Sequence, residues 1–112
     1  MIDKFLSMLE SGVDNALLRY SIGNAYFGEK QYQQAIEHLE EAVRQDDQYS
    51  AAWKLLGRCH FELQQFAQAV EVYDQGLEAA DQKGDKQAAK EMQVFRRRAA
   101  KACASDEASS DD

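Results

Sequence analysis

Residues 53–60 read Trp53-Lys54-Leu55-Leu56-Gly57-Arg58-Cys59-His60, and the segment runs on to Ala69 and Tyr73. Shifting the chain by 34 residues lays this stretch over Arg19-Tyr20-Ser21-Ile22-Gly23-Asn24-Ala25-Tyr26, followed by Ala35 and Leu39. The shift pairs Gly23 with Gly57, Phe27 with Phe61, Gln31 with Gln65, Gln34 with Gln68, Ala35 with Ala69, Glu37 with Glu71 and Asp47 with Asp81. Conservative pairs fill the gaps: Ile22/Leu56, Tyr32/Phe66, Ile36/Val70, Leu39/Tyr73, Ala42/Gly76 and Val43/Leu77. Matches that fall so consistently on small and apolar positions mark a repeated structural unit.

Within each unit the apolar spacing is helical. Leu18, Ile22, Ala25 and Tyr26 form one stripe, and Tyr32, Ala35, Ile36, Leu39, Ala42 and Val43 form the next. Gly28-Glu29-Lys30-Gln31 supplies a short turn between them, which folds the two helices into an antiparallel hairpin. The second unit repeats the arrangement with Ala52, Trp53, Leu56, Cys59 and His60, then Phe66, Ala69, Val70, Tyr73, Gly76 and Leu77. A glycine inside a helix costs about 1 kcal/mol against alanine. Close helix packing at Gly23 and Gly57 is the expected reason for keeping them.

These residues resemble the tetratricopeptide repeat, whose pattern is W-x2-L-G-x2-Y, then A-x3-F, then P. The second unit matches at Trp53, Leu56, Gly57, Ala69 and Tyr73, and the first at Ile22, Gly23, Tyr26 and Ala35. Departures are Arg19 for tryptophan, His60 for tyrosine, and Asp47 and Asp81 where proline stands, positions at which aspartates serve as caps. The resemblance implies an all-α, right-handed α-solenoid of two helix hairpins, repeats at about 16–49 and 50–83, in a single domain over 1–104. Open ends require capping helices. Ile2, Phe5, Leu6 and Leu9 place one at about 2–11, before Ser11-Gly12. Ala88, Met92, Phe95, Ala99 and Cys103 place another at about 85–103, with Asp85 as its N-cap. The expected helices are about 2–11, 14–28, 31–45, 49–63, 65–80 and 85–103. Residues 105–112, Ser-Asp-Glu-Ala-Ser-Ser-Asp-Asp, have no large apolar side chain and read as a disordered acidic tail.

Composition narrows the function classes. The chain has 112 residues, 45% hydrophobic and 29% charged, with six glycines and no proline. That composition opposes a β-sandwich or barrel, which needs many turns. No apolar run approaches a membrane span, and the charged Met1-Ile2-Asp3-Lys4 start is unlike a signal peptide. Two cysteines, Cys59 and Cys103, make no disulfide framework, and a reducing cytoplasm is the expected compartment. Thirteen Lys+Arg against twenty Asp+Glu leave a net charge of −7, unsuited to a general nucleic-acid binder. The charge is nevertheless segregated. Residues 1–81 are acidic, whereas 82–104 carry Lys83, Lys86, Lys90, Arg96, Arg97, Arg98 and Lys101 against Asp85 and Glu91.

Signals for chemistry are absent. Gly23-x4-Gly28 lacks the Gly-Lys-Ser/Thr of a phosphate loop. Cys59, His60 and His38 have no metal-ligand spacing, and His60 reads as a packed core histidine. No nucleophile–base pair appears, so neither an enzyme nor a cofactor or metal site is expected.

In the family that the chain resembles, the first helix of each pair lines a concave groove that holds a peptide. Carried over, the groove residues are Leu17, Tyr20, Asn24 and Phe27, then Ala51, Lys54, Leu55, Arg58 and Phe61. With a one-residue insertion before the last helix, Lys86, Lys90, Gln93 and Arg97 follow. Some family members grip a peptide's terminal carboxylate in a clamp. Asn24, Lys86 and Lys90 match three clamp places, with lysine replacing arginine at the last, while Tyr20 and Leu55 occupy the other two. The expected function is a protein-interaction adaptor for a peptide or partner segment, with an acidic or C-terminal carboxylate ligand favoured by the local field. The alternatives are a self-associating structural module, giving a homo-oligomer, and weak nucleic-acid binding through the basic last helix.

Overall fold

The computed structural model describes residues 2–110, with side chains described as far as 106. Six helices follow one another: α1 (Ile2–Glu10), α2 (Ala16–Gly28), α3 (Tyr32–Gln45), α4 (Ser50–Glu62), α5 (Phe66–Lys83) and α6 (Lys86–Ser110). Each helix packs on the next, and α2 also meets α4 as α4 meets α6. The result is an all-α solenoid measuring 51 × 33 × 18 Å, a slab two helices thick.

Local chemistry starts and stops these helices. The Asn15 side chain accepts the Leu18 N–H at 2.8 Å and caps α2. Asp85 caps α6 in the same way, accepting the Ala88 N–H at 3.0 Å. Its second oxygen accepts the hydroxyl of buried Ser50 at 2.8 Å, which ties the start of α6 to the start of α4. Between α5 and α6 the chain turns at Gly84, φ +75°, a left-handed C-cap that any Cβ would strain.

The 34-residue period recurs in three dimensions. Lys30 and Gln64, one period apart, both adopt φ 61° in the hairpin turns. Phe27 meets Tyr32 edge-on at 5.5 Å, and one period later Phe61 meets Phe66 edge-on at 5.2 Å. The glycines permit the expected approach. A Cβ at Gly23 would fall 2.6 Å from Leu39 Cγ, and one at Gly57 would fall 2.3 Å from Tyr73 Cε1. Ile22, Leu39, Cys59, Tyr73 and Met92 are the largest fully buried side chains. Trp53 is buried too, and its indole N–H donates to the Asp47 carbonyl at 2.8 Å, so the turn after α3 is held from within the core.

Several expectations need correction. α5 runs to Lys83 rather than stopping near 80, which places Asp81 inside the helix, and Gly84 rather than Asp81 ends it. His60 is half-buried, not a core residue, and its Nδ1 pairs with Gln65 Oε1 at 2.8 Å across the hairpin turn. α6 runs on to Ser110. Ala102, Ala104 and Ala108 are strong helix formers, and no glycine or proline intervenes to stop them. The end of the expected tail, Asp111-Asp112, lies outside the described residues. At the other end α1 packs, among the described residues, only on α2 and buries none of its side chains fully, so it is a light cap.

Arg19, which stands where the repeat pattern has tryptophan, replaces apolar packing with polar links. Its guanidinium donates to both Asp14 oxygens, at 2.8 and 2.9 Å, and approaches His38 Nδ1 at 3.2 Å. The Arg19 hydrogen bond holds the Asp14 carboxyl far below the usual carboxylate range. Burial, and then the Arg19 charge, hold His38 below its ordinary value. His38 also stacks on Tyr26 at 5.7 Å, so the neutral ring is part of the α2–α3 seam.

Candidate peptide-binding groove

The face shared by α2, α4 and α6 carries a cation held between rings. Arg58 projects from the middle of α4, and its guanidinium carbon lies 4.9 Å from the Phe27 ring centre and 5.3 Å from that of Phe95. One side chain therefore bridges all three helices, a cation–π contact on each flank. Among the described residues Arg58 makes no ion pair. Beside it opens a cavity of about 140 Å³ lined by Arg58, Phe61, Glu62, Tyr73, Phe95 and Arg98. The guanidinium carbon of Arg98 lies 5.6 Å from the centre of the Phe95 ring.

Tyr73 forms the cavity's inner wall. Its ring stacks on Phe95 at 6.2 Å and lies against Gly57, where the missing Cβ makes room for it. The side chain is 0% exposed, and its hydroxyl has no hydrogen-bond partner among the described residues. Burial pushes the Tyr73 phenol well above its ordinary range, so the group is a donor at any working pH. Cys59 is buried on the adjoining turn of α4, and desolvation pushes its thiol up to about 12.

The expected groove residues divide into those that converge here and those that do not. Phe27, Arg58 and Phe61 converge. Leu17 and Asn24 stand exposed on α2. Tyr20 is half-buried and spends its ring on Tyr49, stacked at 5.1 Å. Lys54 is no free cation: it forms an ion pair with Glu91, whose carboxyl is thereby held below its usual range. Leu55 is buried. Lys86 and Gln93 line the separate crevice between α5 and α6, with Leu77, Asp81 and Gly84, and Lys90 and Arg97 are exposed. The face that α6 turns to α4 is instead the one bearing Glu91 and Phe95.

The inserted residue fits the packing of α6: Ala88 and Met92 are buried, Phe95 stacks on Tyr73, and Lys86, Lys90, Gln93 and Arg97 are exposed. Phe95 stands 34 residues after Phe61, which stands 34 after Phe27, but the buried face of α6 does not keep that period: Gln87, Lys90 and Gln93, 34 residues after buried Trp53, Leu56 and Cys59, are exposed. Tyr73 is a core residue that also lines the cavity, a second role that its apolar stripe does not announce. The basic run 96–98 is divided around its helix: Arg96 pairs with Asp74, and Arg98 joins the groove.

Among the described residues no cluster of His, Cys, Asp and Glu could hold a metal, and no helix is long and apolar enough to cross a membrane. Comparison with known proteins agrees with the geometry. A tetratricopeptide repeat family profile matches residues 26–92. A TPR repeat-containing protein of Pseudomonas aeruginosa is 47% identical over 98 residues, 88% of this chain and 93% of that protein. The solution structure of a Bordetella parapertussis protein is 40% identical, with a TM-score of 0.79 over 90% of this chain and 88% of that one. A heat-shock protein cognate co-chaperone of Aspergillus fumigatus is 32% identical over 78 residues, 70% of this chain but 23% of that protein. A repeat detected from its own 34-residue period, folded into stacked hairpins and matched over this span, establishes that the chain belongs to the tetratricopeptide repeat family, a fold of protein-interaction modules.

Proposed function

We propose that this protein is a small cytoplasmic adaptor that holds a peptide segment of a partner against the face shared by α2, α4 and α6. The observation that supports this reading best is Arg58, set between Phe27 and Phe95 across three helices and free of any ion pair among the described residues. An unspent cation on aromatic walls is suited to polar recognition within an apolar contact. The paired cations elsewhere, Lys54 and Arg96, are not. The Aspergillus relative is named as a co-chaperone, which supports a protein as the kind of partner; this chain spans less than a quarter of that protein.

The test is selection of random displayed peptides on the immobilised full chain, followed by calorimetry of the enriched sequences. Binding that falls at least tenfold in Arg58→Glu, while the variant keeps its unfolding midpoint, supports the groove. Enriched peptides that bind Arg58→Glu and wild type alike refute it.

Self-association has one observation in its favour. Met8, Val13 and Leu17 leave apolar side chains exposed where α1 joins α2, with Leu17 66% exposed. Size-exclusion chromatography over a concentration series separates the two readings. A dimer that Leu17→Ser dissolves favours self-association, and a monomer at all concentrations favours the adaptor.

A further inference from the structure

We propose that the cavity beside Arg58 is a subsite for the carboxylate of an acidic side chain in the bound segment. The inference deepens the groove reading and rests on it. Three observations carry it. First, the Tyr73 hydroxyl is fully buried without a partner among the described residues, and Tyr73 is one of the residues that line the cavity. An unmet buried hydroxyl costs free energy that an incoming acceptor recovers. Second, Arg58 and Arg98 offer guanidinium N–H groups at the same cavity, each braced on the ring of Phe95. Arginine forks suit a planar, two-oxygen acceptor. Third, the charge count fits a single negative charge. Two arginines against Glu62 leave the lining with one net positive charge, which a carboxylate matches and a doubly charged phosphate exceeds.

The aromatic walls choose between carboxylate sources. Phe61 and Phe95 flank the cavity and accept the methylene stem of an acidic side chain lying along the groove. None of Tyr20, Asn24, Leu55, Lys86 and Lys90, the places that match a terminal-carboxylate clamp, lines this cavity. The subsite is therefore separate from those places and does not need a peptide terminus.

Small probes test it on the intact protein. N-acetyl-glutamic acid α-amide carries only the side-chain carboxylate, N-acetyl-glutamine only the terminal one, and N-acetyl-glutamine amide neither. Each is titrated into isotope-labelled protein at constant ionic strength, reading the Arg58 Nε–H and Tyr73 ring signals, with inorganic phosphate as a fourth arm. The expected result is a saturable shift with the glutamic acid amide, at least tenfold weaker with N-acetyl-glutamine and absent with N-acetyl-glutamine amide. Tyr73→Phe should weaken the response about tenfold, the scale of one hydrogen bond to a charged acceptor, while leaving the unfolding midpoint unchanged or raising it.

Equal response to the neutral amide, tighter binding of phosphate or of the terminal carboxylate, or silence toward all four probes overturns the subsite. A fall in the midpoint on Tyr73→Phe also overturns it, because the hydroxyl would then be satisfied in the free protein. If the probes fail while selected peptides still need Arg58, the subsite falls and the groove stands. If selected peptides ignore Arg58, the groove itself falls.

Discussion

Gly57→Ala is the sharpest test of how the groove is built, because one methyl group would act on both the core and the site. The new Cβ would lie 2.3, 2.6 and 2.7 Å from Tyr73 Cε1, Cζ and Cδ1. Carbon atoms in contact prefer about 3.5–4.0 Å, so the ring must retreat by more than about 1 Å. It has nowhere easy to go, being fully buried and stacked on Phe95. Overpacking of this kind costs about 1–3 kcal/mol and occasionally more, and the rigid ring edge argues for the upper end. Alanine returns about 1 kcal/mol of helix propensity. The expected net loss is about 2 kcal/mol, a large part of the roughly 5–15 kcal/mol that holds such a domain. Urea unfolding followed by far-ultraviolet circular dichroism should show the midpoint falling by about 1 M with an unchanged slope. Gly28→Ala, whose Cβ would meet nothing within 4 Å, is the control and should stay within about 0.5 kcal/mol of wild type. Adding Tyr73→Ala to Gly57→Ala removes the obstacle, so the double variant should be more stable than the sum of the singles by at least about 1 kcal/mol. A Gly57→Ala protein as stable as wild type, or additive with Tyr73→Ala, would refute the packing.

Three further outcomes follow from the same structure. A native-state thiol reagent should label half-buried Cys103 well before Cys59, whose thiol is buried and pushed up to about 12; equal rapid labelling would contradict the packing of α4. His38 is held below its ordinary value of 6.5, so the unfolded chain takes up its proton first as pH falls through 6.5. Stability should therefore decline from about pH 7 downward until the native ring also protonates, and His38→Gln should remove that part of the slope. Unfolding curves with the same slope in both proteins would contradict it. Ending the chain after Gly84 should be severely destabilising, because Met92 is fully buried against Gly76 and Ala88 and Ala99 are buried beside it; a stable, monomeric 1–84 fragment would show that α6 is no cap.

The repeat made most of the fold legible. A comparison of the chain with itself exposed Gly23 and Gly57, and the structure places both where helices touch. Asp85 was readable as a cap because a local motif, an aspartate after glycine and before an apolar stripe, reports local geometry. The site was less legible, for physical reasons. Whether Lys54 is a free cation depends on Glu91, which stands 37 residues away on another helix, and no periodicity announces an ion pair. The final helix has no second copy of its own hairpin to fix its register, so its apolar stripe, Ala88, Met92, Phe95 and Ala99, was its best guide. The Arg19–Asp14–His38 cluster arises where the chain leaves the repeat pattern, and a pattern is silent about its exceptions.

Chemical-shift mapping of the selected peptides on the full-length protein tests the central claim most directly. Saturable shifts should concentrate on Phe27, Arg58, Phe61 and Phe95, across α2, α4 and α6, and should vanish in Arg58→Glu. Shifts confined to α3 and α5 or to α1, or shifts that persist in Arg58→Glu, would contradict it.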